Sequence, residues 1–312
     1  MSLNVYQLNE ETAAKLISFL PSSDSNLPAG SKYRKKIEGH TVTVYNSNKF
    51  MVQGIASENI AAKLLGNAGI KVAGGNTTEK KKTTSGQSTS YDAFNCIGSD
   101  EAGSGDYFGP MTVVASYVSK KNAEILKVLG VMDSKNLKDD KIIALAEQII
   151  PIIPHSLLVL DNPKYNERKA MGWSQVKMKA VLHNQAILNV LDKIDGASLD
   201  YIVIDQFAVQ GVYENYALTA IPERDKTRFE TKGESKSIAI AASSIIARYA
   251  FVKYYDEIIR ETGIHITKGA GAKVDLEAAK IISKKGIEYL DSITKKDFKN
   301  RGKALALVKK KK

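Results

Sequence analysis

The amino-acid sequence predicts two domains, a small α+β domain followed by a larger mixed α/β domain. The chain has 312 residues, which exceeds the usual size of a single domain. Residues 73–92 are almost without apolar side chains and rich in Gly, Ser, Thr and Lys, which is typical of a flexible linker. Beyond them, helical patterns alternate with short apolar strands. We therefore place the domains at 1–72 and 93–308, with a basic tail at 309–312.

The first domain is predicted to be an α-β-β-β-α unit. The segment "ETAAKLISFL" repeats its apolar residues at helical spacing. The next segment, "SKYRKKIEGHTVTVYNSNKFMVQGI", alternates as strands do, with turns at Glu38-Gly39 and Ser47-Asn48. A second helix follows in "SENIAAKLLGNAG", with Ser57 as its candidate N-cap.

One strand of this first domain carries a row of basic residues. Alternate strand residues share a face, so Lys32, Arg34 and Lys36 are expected on the solvent side. Residues 1–90 contain eleven Lys and Arg against six Asp and Glu. We interpret the row as a phosphate-binding surface; the alternative is an edge strand whose charges guard against aggregation.

The second domain begins with strands and continues with helices between strands. "FNCIGSD" and "MTVVASYV" are predicted as two strands joined by a glycine turn, and "HSLLVLD" as a third. "SQVKMKAVLHNQAILNVLDKI" is an amphipathic helix capped by Ser174, and the strand "LDYIVID" ends at Asp205. A long helix runs from Ser237 to Thr262 and stops at Gly263. The pattern indicates antiparallel strands first and a parallel crossover later.

Composition and charge narrow the function classes without deciding among them. The net charge of +11 suggests a polyanionic partner, although lysine also serves solubility. No apolar run is long enough to span a bilayer and the N-terminus lacks a secretory pattern, so we expect a cytoplasmic protein with no membrane contact. The single cysteine, Cys96, can form neither an internal disulfide nor a zinc site, and we expect it to be buried.

Two predicted strands end in carboxylates, Asp100-Glu101 and Asp205. Ligands of α/β sheets bind at strand ends, which makes these acids candidate site residues. Adjacent strand residues point to opposite faces, so Asp100 and Glu101 can share a site only if regular extension ends there, as the following glycine turn suggests. Converging carboxylates repel one another unless hard divalent cations offset them, and Mg²⁺ fits best beside a polyphosphate substrate.

Four segments in order resemble a known family. "GSDEAGSGDYFGP", "DSKNL" at Asp133 to Leu137, "YIVIDQF" and "KGESKSIAIAASSIIAR" are similar to the signature segments of type 2 ribonucleases H, and in particular to ribonuclease HIII. The N-terminal unit resembles the TATA-binding-protein-like domain that those proteins carry for substrate binding. The resemblance implies a ribonuclease H-like mixed-sheet catalytic domain.

The resemblance also implies an activity and a ligand set. The activity is endonucleolytic hydrolysis of the RNA strand in RNA–DNA hybrids, leaving a 5′-phosphate and a 3′-hydroxyl. Two Mg²⁺ ions, with Mn²⁺ as an alternative, would be held by Asp100, Glu101, Asp205 and Glu234. Glu234 takes the place of the fourth carboxylate in "TKGESKS", with Glu214, Asp225 and Glu230 as nearby alternatives. We expect a monomer, and we expect His183 to be structural.

Further residues match the substrate-binding segments of the family. Gly103, Ser104 and Gly105 match the turn that recognises the 2′-hydroxyl of RNA. Ser134 and Lys135 match a segment that contacts phosphate; the alternative is a helix N-cap beside a solvated lysine.

The region after the long helix departs from the ribonuclease HII pattern. It reads "HITKGAGAKVD", with Ala270 where ribonuclease HII has an aromatic residue. We therefore expect cleavage within runs of several ribonucleotides rather than at a single embedded one.

Other function classes stay open at this stage. A metal-dependent nuclease of the same broad fold, such as a junction resolvase or a transposase-like enzyme, would cut DNA-only substrates. A noncatalytic hybrid-binding protein would bind without cleavage and regardless of a chelator. A nucleotide-binding loop is the least favoured, because the glycine turn lacks a Walker lysine.

Overall fold

The computed structural model describes residues 2–25, 27, 30–70, 76–77, 90–131 and 137–310. The chain divides into two compact units, one of Met1–Ser88 with Glu147–Ile152 and one of Thr89–Ala146 with Ile153–Lys312. Most of the predicted linker lies outside the described residues. The prediction of two domains agrees with this division, and their boundaries at 1–72 and 93–308 stay a prediction.

The first unit is a five-stranded antiparallel sheet with two helices. The strand order across the sheet is β2-β3-β4-β1-β5. Apolar side chains of α1 and α2, including Leu16 and Leu65, pack against inward strand residues such as Val42, Val44 and Phe50. The elements are β1 Ser2–Gln7, α1 Glu10–Phe19, β2 Ser31–Ile37, β3 His40–Tyr45, β4 Lys49–Gly54, α2 Ser57–Asn67 and β5 Asn76–Thr77.

The predicted α-β-β-β-α unit was wrong at its beginning. Strand β1 precedes the first helix and pairs with β4 and β5 in the sheet. Its inward face includes Asn4, which is 2% exposed and donates a hydrogen bond to Ser57 Oγ at 2.8 Å. A polar residue on the inward face hides the alternation that identifies a strand. Ser57 is the first residue of α2, and the N-cap is Ala56 rather than Ser57.

The two turns of this unit are where the sequence predicts them. Glu38 and Gly39 have φ of 47° and 77° between β2 and β3, and Asn48 has φ of 62° between β3 and β4. Positive φ at these positions suits the tight hairpins that join antiparallel strands.

The second unit contains a five-stranded mixed sheet with the order β10-β9-β6-β7-β8. Strands β6, β7 and β8 are antiparallel neighbours, whereas β9 is parallel to both β6 and β10. This arrangement confirms the prediction of antiparallel strands followed by a parallel crossover. The strands are β6 Cys96–Ala102, β7 Met111–Val118, β8 His155–Leu160, β9 Tyr201–Asp205 and β10 Thr227–Glu230.

The remaining helices follow the chain order. They are α3 Lys120–Leu129, α4 Asp139–Ile149, α5 Asn162–Ala170, α6 Gln175–Lys193, α7 Gln210–Tyr216, α8 Ile238–Thr262, α9 Ala272–Lys285, α10 Ile287–Ser292 and α11 Asn300–Lys309. Helix α11 therefore extends to the first residue of the predicted basic tail. Among the described helices, none is both long and apolar enough to cross a membrane.

Helix α8 packs directly on strand β6, as its small residues predict. A side chain at Gly98 would overlap the backbone of Ala239 and Ile240, so only glycine permits this approach. Ser243 Oγ donates a hydrogen bond to the Gly98 carbonyl at 2.9 Å. The helix ends at Gly263, whose φ of 63° confirms the predicted stop.

Candidate active site

The two strands that carry the predicted acids are neighbours in the sheet. The parallel ladder between β6 and β9 pairs Ser99 with Ile204, so the next residues, Asp100 and Asp205, follow at the same level. Asp205 is also the last residue of β9 and pairs with Glu230 of β10. The carboxyl ends of two parallel strands thus bring Asp100 and Asp205 to one edge of the sheet.

Asp100 and Glu101 lie on opposite faces of β6. The strand continues to Ala102 and pairs with β7 throughout, so the expectation that regular extension ends at these acids was wrong. Asp100 accepts hydrogen bonds from Ser244 of α8 and from the Glu101 N–H, the latter at 2.8 Å. Glu101 instead faces α6. The pair therefore straddles the strand end instead of sharing one face.

The charge on Asp100 is poorly compensated. Loss of water around its carboxylate, together with the negative charges of Glu101 and Asp205, raises the pKa of Asp100 well above its ordinary value. The hydrogen bonds from Ser244 and from the Glu101 N–H oppose this shift without cancelling it. Such a group is stabilised in its ionised form by a nearby cation.

Glu101 is compensated by two side chains of α6. Lys179 Nζ contacts Oε1, and His183 Nε2 lies 3.0 Å from Oε2. Loss of water opposes ionisation of Glu101, but the hydrogen bonds and charges of His183 and Lys179 outweigh it and lower the pKa to about 2. Lys179 was not among the predicted site residues, and His183 was expected to be structural. Their spacing of four residues on one helix was the available signal.

Glu234 lies next to the residue that holds Asp205. The Gly233 N–H donates a hydrogen bond to Asp205 Oδ1 at 2.7 Å, and Gly233 begins the short 3₁₀ turn Gly233–Ser235. A Cβ at Gly233 would lie 2.4 Å from Ile240 Cδ1 and 3.0 Å from Asp205 Oδ1, so these side chains would have to shift to admit one.

Two of the alternative acids are paired with basic side chains elsewhere. Glu230 forms an ion pair with Lys236 at 2.6 Å, and Glu214 forms one with Arg224 at 2.7 Å. Glu101 is paired in the same way, so these contacts do not decide among the acids, and Glu234 as the fourth carboxylate stays a prediction.

The chemistry of this donor set fits a hard divalent cation. Carboxylate oxygens are the ligands that Mg²⁺ and Mn²⁺ prefer, and the raised pKa of Asp100 indicates a place for positive charge. Within the part of the chain that the structure describes, no three acidic, histidine or cysteine side chains are grouped so that they could hold an ion as they stand. The structure thus links Asp100, Glu101 and Asp205 electrostatically, but it brings neither these three acids nor Glu234 into one ligand group.

The predicted glycine turn follows the acids directly. Gly103 has φ of +81°, and a side chain there would clash with the Pro110 carbonyl and lie 2.7 Å from the Phe251 ring. The Ser104 carbonyl accepts a hydrogen bond from Gln175 Nε2 of α6 at 2.8 Å. Gly105 is exposed, and a methyl group there would meet nothing within 4 Å. The turn is therefore tightly packed at its base, Gly103, and open at its tip, Gly105.

The basic row is on β2 of the first unit. Tyr33 is buried, whereas Lys32 and Arg34 are half-buried and Lys36 is exposed, as the predicted alternation requires. Lys32 Nζ also contacts Asn48 Oδ1.

Ser134 and Lys135 lie outside the described residues. Their predicted contact with phosphate stays a prediction.

The fold and these acids define a class of protein, the ribonuclease H-type hydrolases with a mixed central sheet. Residues 97–301 match the family described as ribonuclease HII, and residues 4–72 match a domain of unknown function. The chain is 73% identical to ribonuclease HIII of Macrococcus caseolyticus over 99% of its own length and 100% of the relative. It is 59% identical to ribonuclease HIII of Staphylococcus saprophyticus, with 98% of each chain covered. The protein belongs to the ribonuclease HIII family.

A solved structure supports the same assignment and the predicted fold class. The crystal structure of Bst-RNase HIII in complex with Mn²⁺ is 36% identical in sequence and superposes with a TM-score of 0.68. The match covers 99% of this chain and 100% of that one. The ribonuclease H-like fold is thereby confirmed, as is the small N-terminal domain with an antiparallel sheet.

Proposed function

We propose that the protein hydrolyses the RNA strand of RNA–DNA hybrids with two divalent metal ions and leaves 5′-phosphate and 3′-hydroxyl ends. The observation that carries this proposal is the placement of Asp100 and Asp205 at the carboxyl ends of neighbouring parallel strands, where the charges of Glu101 and Asp205 help to raise the pKa of Asp100. Membership of the ribonuclease HIII family supports the substrate, and the Mn²⁺ in the solved relative supports the use of metal.

The four proposed ligands are Asp100, Glu101, Asp205 and Glu234. Bound Mg²⁺ or Mn²⁺ would activate the attacking water and neutralise the departing 3′-oxygen. The chain orients the ligands with its own backbone, because the N–H groups of Glu101 and Gly233 fix the carboxylates of Asp100 and Asp205. No side chain of the protein needs to act as a nucleophile.

The glycine turn supplies the contact that distinguishes RNA from DNA. Gly103 allows the chain to turn sharply after Glu101, and the open tip at Gly105 lets a ribose come close to the backbone. Backbone groups of Gly103, Ser104 and Gly105 are then available to the 2′-hydroxyl. The bond from Gln175 to the Ser104 carbonyl holds this turn in place beside α6.

Phosphate groups of the hybrid are the proposed partners of the basic residues. Lys32, Arg34 and Lys36 would bind them on the first unit, and Ser134 and Lys135 would contact a phosphate near the cleaved bond. These contacts would be independent of base sequence, so the protein would act on hybrids of any sequence. The oligomeric state proposed for the protein is a monomer.

A cleavage assay tests the proposal directly. An end-labelled RNA–DNA hybrid is incubated with Mg²⁺, with Mn²⁺ or with EDTA, beside an all-DNA duplex of the same sequence. We expect RNA-strand cleavage that requires metal, no cutting of the duplex, and products that a 3′-hydroxyl-dependent polymerase extends. Cleavage of the DNA duplex would favour the resolvase-like alternative, and hybrid binding without cleavage would favour the noncatalytic one.

A second substrate tests the expected need for consecutive ribonucleotides. DNA duplexes carrying either one ribonucleotide or a run of four differ only in the length of RNA presented to the turn. We expect cleavage of the run and little incision at the single ribonucleotide. Equal rates on both substrates would contradict the argument from Ala270.

A further inference from the structure

Both carboxylate oxygens of Glu101 are occupied by side chains from a single helix. Lys179 and His183 are four residues apart on α6, so they face β6 from consecutive turns. Lys179 Nζ contacts Oε1, and His183 Nε2 lies 3.0 Å from Oε2. A divalent ion that binds Glu101 must therefore share an oxygen with one of these two groups or displace it.

The histidine contact is rigid. His183 is fully buried, and its Nδ1 lies 2.6 Å from Ser99 Oγ. Ser99 Oγ is in turn bonded to the Val114 carbonyl at 3.0 Å, and the Phe207 ring lies 5.0 Å from the imidazole. With both ring nitrogens engaged and the ring packed, His183 has no alternative position without breaking buried contacts.

The lysine contact is of a different kind. Lys179 has a long flexible stem, and its side chain is 12% exposed. Within the described residues, Glu101 is the only carboxylate paired with it, and its other contact is the Phe207 ring, 5.0 Å below the ammonium. A charged ammonium repels a divalent cation that approaches the same oxygen. Lys179 thus keeps some exposure to solvent, whereas His183 has none.

We propose that Lys179 is a displaceable cation that occupies Glu101 Oε1 until a divalent ion binds, while His183 is a positioning residue that holds Oε2. This inference rests on the proposed binding of metal by Glu101. It predicts effects of opposite sign at the two positions. Removing the ammonium takes away a competitor for the ion, whereas removing the imidazole contact lets the carboxylate rotate away from the ion.

Binding of Mn²⁺ to the full-length protein, followed by the loss of the free-ion EPR signal, separates the two roles without any hybrid present. E101Q is the reference variant and should lose the Glu101-dependent binding. We expect K179M to bind Mn²⁺ about tenfold more tightly than the wild type, because one positive charge is removed beside the site. We expect H183N to bind about tenfold more weakly, in the range typical of lost contacts to a metal ligand.

The histidine variants form a matched pair. The amide of Gln reaches the place of the imidazole Nε2, and that of Asn reaches the place of Nδ1. H183Q should thus keep the bond to Glu101 and bind Mn²⁺ nearly as the wild type does, whereas H183N should keep only the bond to Ser99. A purely structural role predicts equal losses in both.

Equal or weaker Mn²⁺ binding by K179M would overturn the role of Lys179, and equal binding by H183N and H183Q would overturn that of His183. Far-UV circular dichroism checks each variant, and should the histidine variants fail to fold, K179M alone decides whether α6 supplies a competing cation. Wild-type binding that depends on Glu101, combined with no cleavage of hybrids, would refute the proposed function and leave this inference standing.

Discussion

A negative charge at Asp100 is unfavourable in the folded protein, and this should lower stability measurably. Its pKa is raised by loss of water and by the charges of Glu101 and Asp205, so the folded protein retains a proton that the unfolded chain has lost. By linkage, stability then falls as the pH rises above the ordinary range of Asp, near 4. D100N cannot ionise at this position, so its stability should lack this dependence on pH.

We therefore expect D100N to unfold at a higher temperature than the wild type in EDTA, with a larger gap at pH 8 than at pH 5. Each kcal/mol is worth about 2–4 °C in a domain of this size. The same variant should lose hybrid cleavage while retaining hybrid binding. D195N, at an exposed position, is the control and should leave the unfolding temperature, hybrid cleavage and hybrid binding unchanged. If the difference in unfolding temperature between D100N and the wild type became smaller toward pH 8, the pKa of Asp100 would not be raised.

The glycine turn allows stability and activity to be separated. G103A places a methyl group against the Pro110 carbonyl and the Phe251 ring at a residue with φ of +81°, so we expect a loss of about 2–4 kcal/mol in unfolding free energy. G105A meets nothing and should stay within about 0.5 kcal/mol of the wild type. Denaturant unfolding measures both.

Cleavage of the hybrid by G105A then tests the role of the turn. If the tip contacts the ribose, the added methyl of G105A should reduce cleavage of the hybrid at least about tenfold despite normal stability. Wild-type cleavage by G105A would show that the ribose does not approach this position.

The strand-end positions of Asp100 and Asp205 were predictable from sequence, but the partners of Glu101 were not. Asp100 and Asp205 are each the residue at which an apolar strand pattern stops, so local sequence locates them. Lys179 and His183 contact Glu101 across about 80 positions, a pairing that depends on how α6 packs against the sheet. Periodicity shows that the two share a helix face, but it does not show which strand that face meets.

At the scale of elements, the segment that follows the glycine turn is held by the C-terminal part of the chain. Lys295 is fully buried and donates hydrogen bonds to the carbonyls of Asp106 and Gly109, at 2.8 and 2.7 Å. Asn162 donates to the same Gly109 carbonyl at 2.9 Å, and Asp106 accepts a bond from the Gly269 N–H. The position of the turn thus depends on residues far from it in sequence.

Replacing Lys295 should destabilise the protein in a way that depends on pH. Burial lowers the pKa of Lys295 to about 8, although the charges of Asp106 and Asp297 oppose this shift. Between pH 8 and the ordinary lysine range near 10.5, the unfolded chain binds a proton that the folded protein has lost, so this group adds stability as the pH rises. K295M lacks that contribution.

We expect K295M to lose about 2 kcal/mol at pH 7.5, because buried carbonyls lose their donor, and we expect its deficit relative to the wild type to grow between pH 8 and 10. Urea unfolding at three pH values measures the deficit. K299M, at an exposed position, should show a small and pH-independent difference. If the deficit in unfolding free energy became smaller as the pH rises, the pKa of Lys295 would not be lowered by burial.

Element prediction succeeded where one physical rule dominated. The hairpin turns of the first unit and the ends of α6 and α8 follow from glycine, from positive φ and from Ser174, whose side chain accepts the Lys177 N–H at 3.1 Å. Strand β1 was missed because its inward Asn4 is satisfied by Ser57, a contact between residues 53 positions apart. Neighbouring residues alone do not reveal such a partner.

At the scale of the whole molecule, the proposed metal ligands and the proposed phosphate-binding row belong to different units. The proposed metal ligands all belong to the second unit, whereas Lys32, Arg34 and Lys36 lie on one strand of the first. Binding through phosphate charges releases counterions, and the affinity then falls with the logarithm of salt concentration in proportion to the number of contacts. If the row binds phosphate as proposed, the part of the salt dependence that is lost with Lys32, Arg34 and Lys36 reports on the first unit.

The triple variant K32A/R34A/K36A should weaken hybrid binding and reduce the slope of log affinity against log salt by about 3, one for each phosphate contact removed. Fluorescence anisotropy from 50 to 300 mM salt measures the slope. K121A/K253A/K280A removes the same charge from exposed positions on helices α3, α8 and α9 and controls for net charge. Because the ligands of the second unit are untouched, cleavage at saturating hybrid should stay near the wild-type rate. Equal slopes in the two triple variants would show that the effect depends on overall charge. The basic residues on β2 would then serve to prevent aggregation at an edge strand, as in the alternative interpretation.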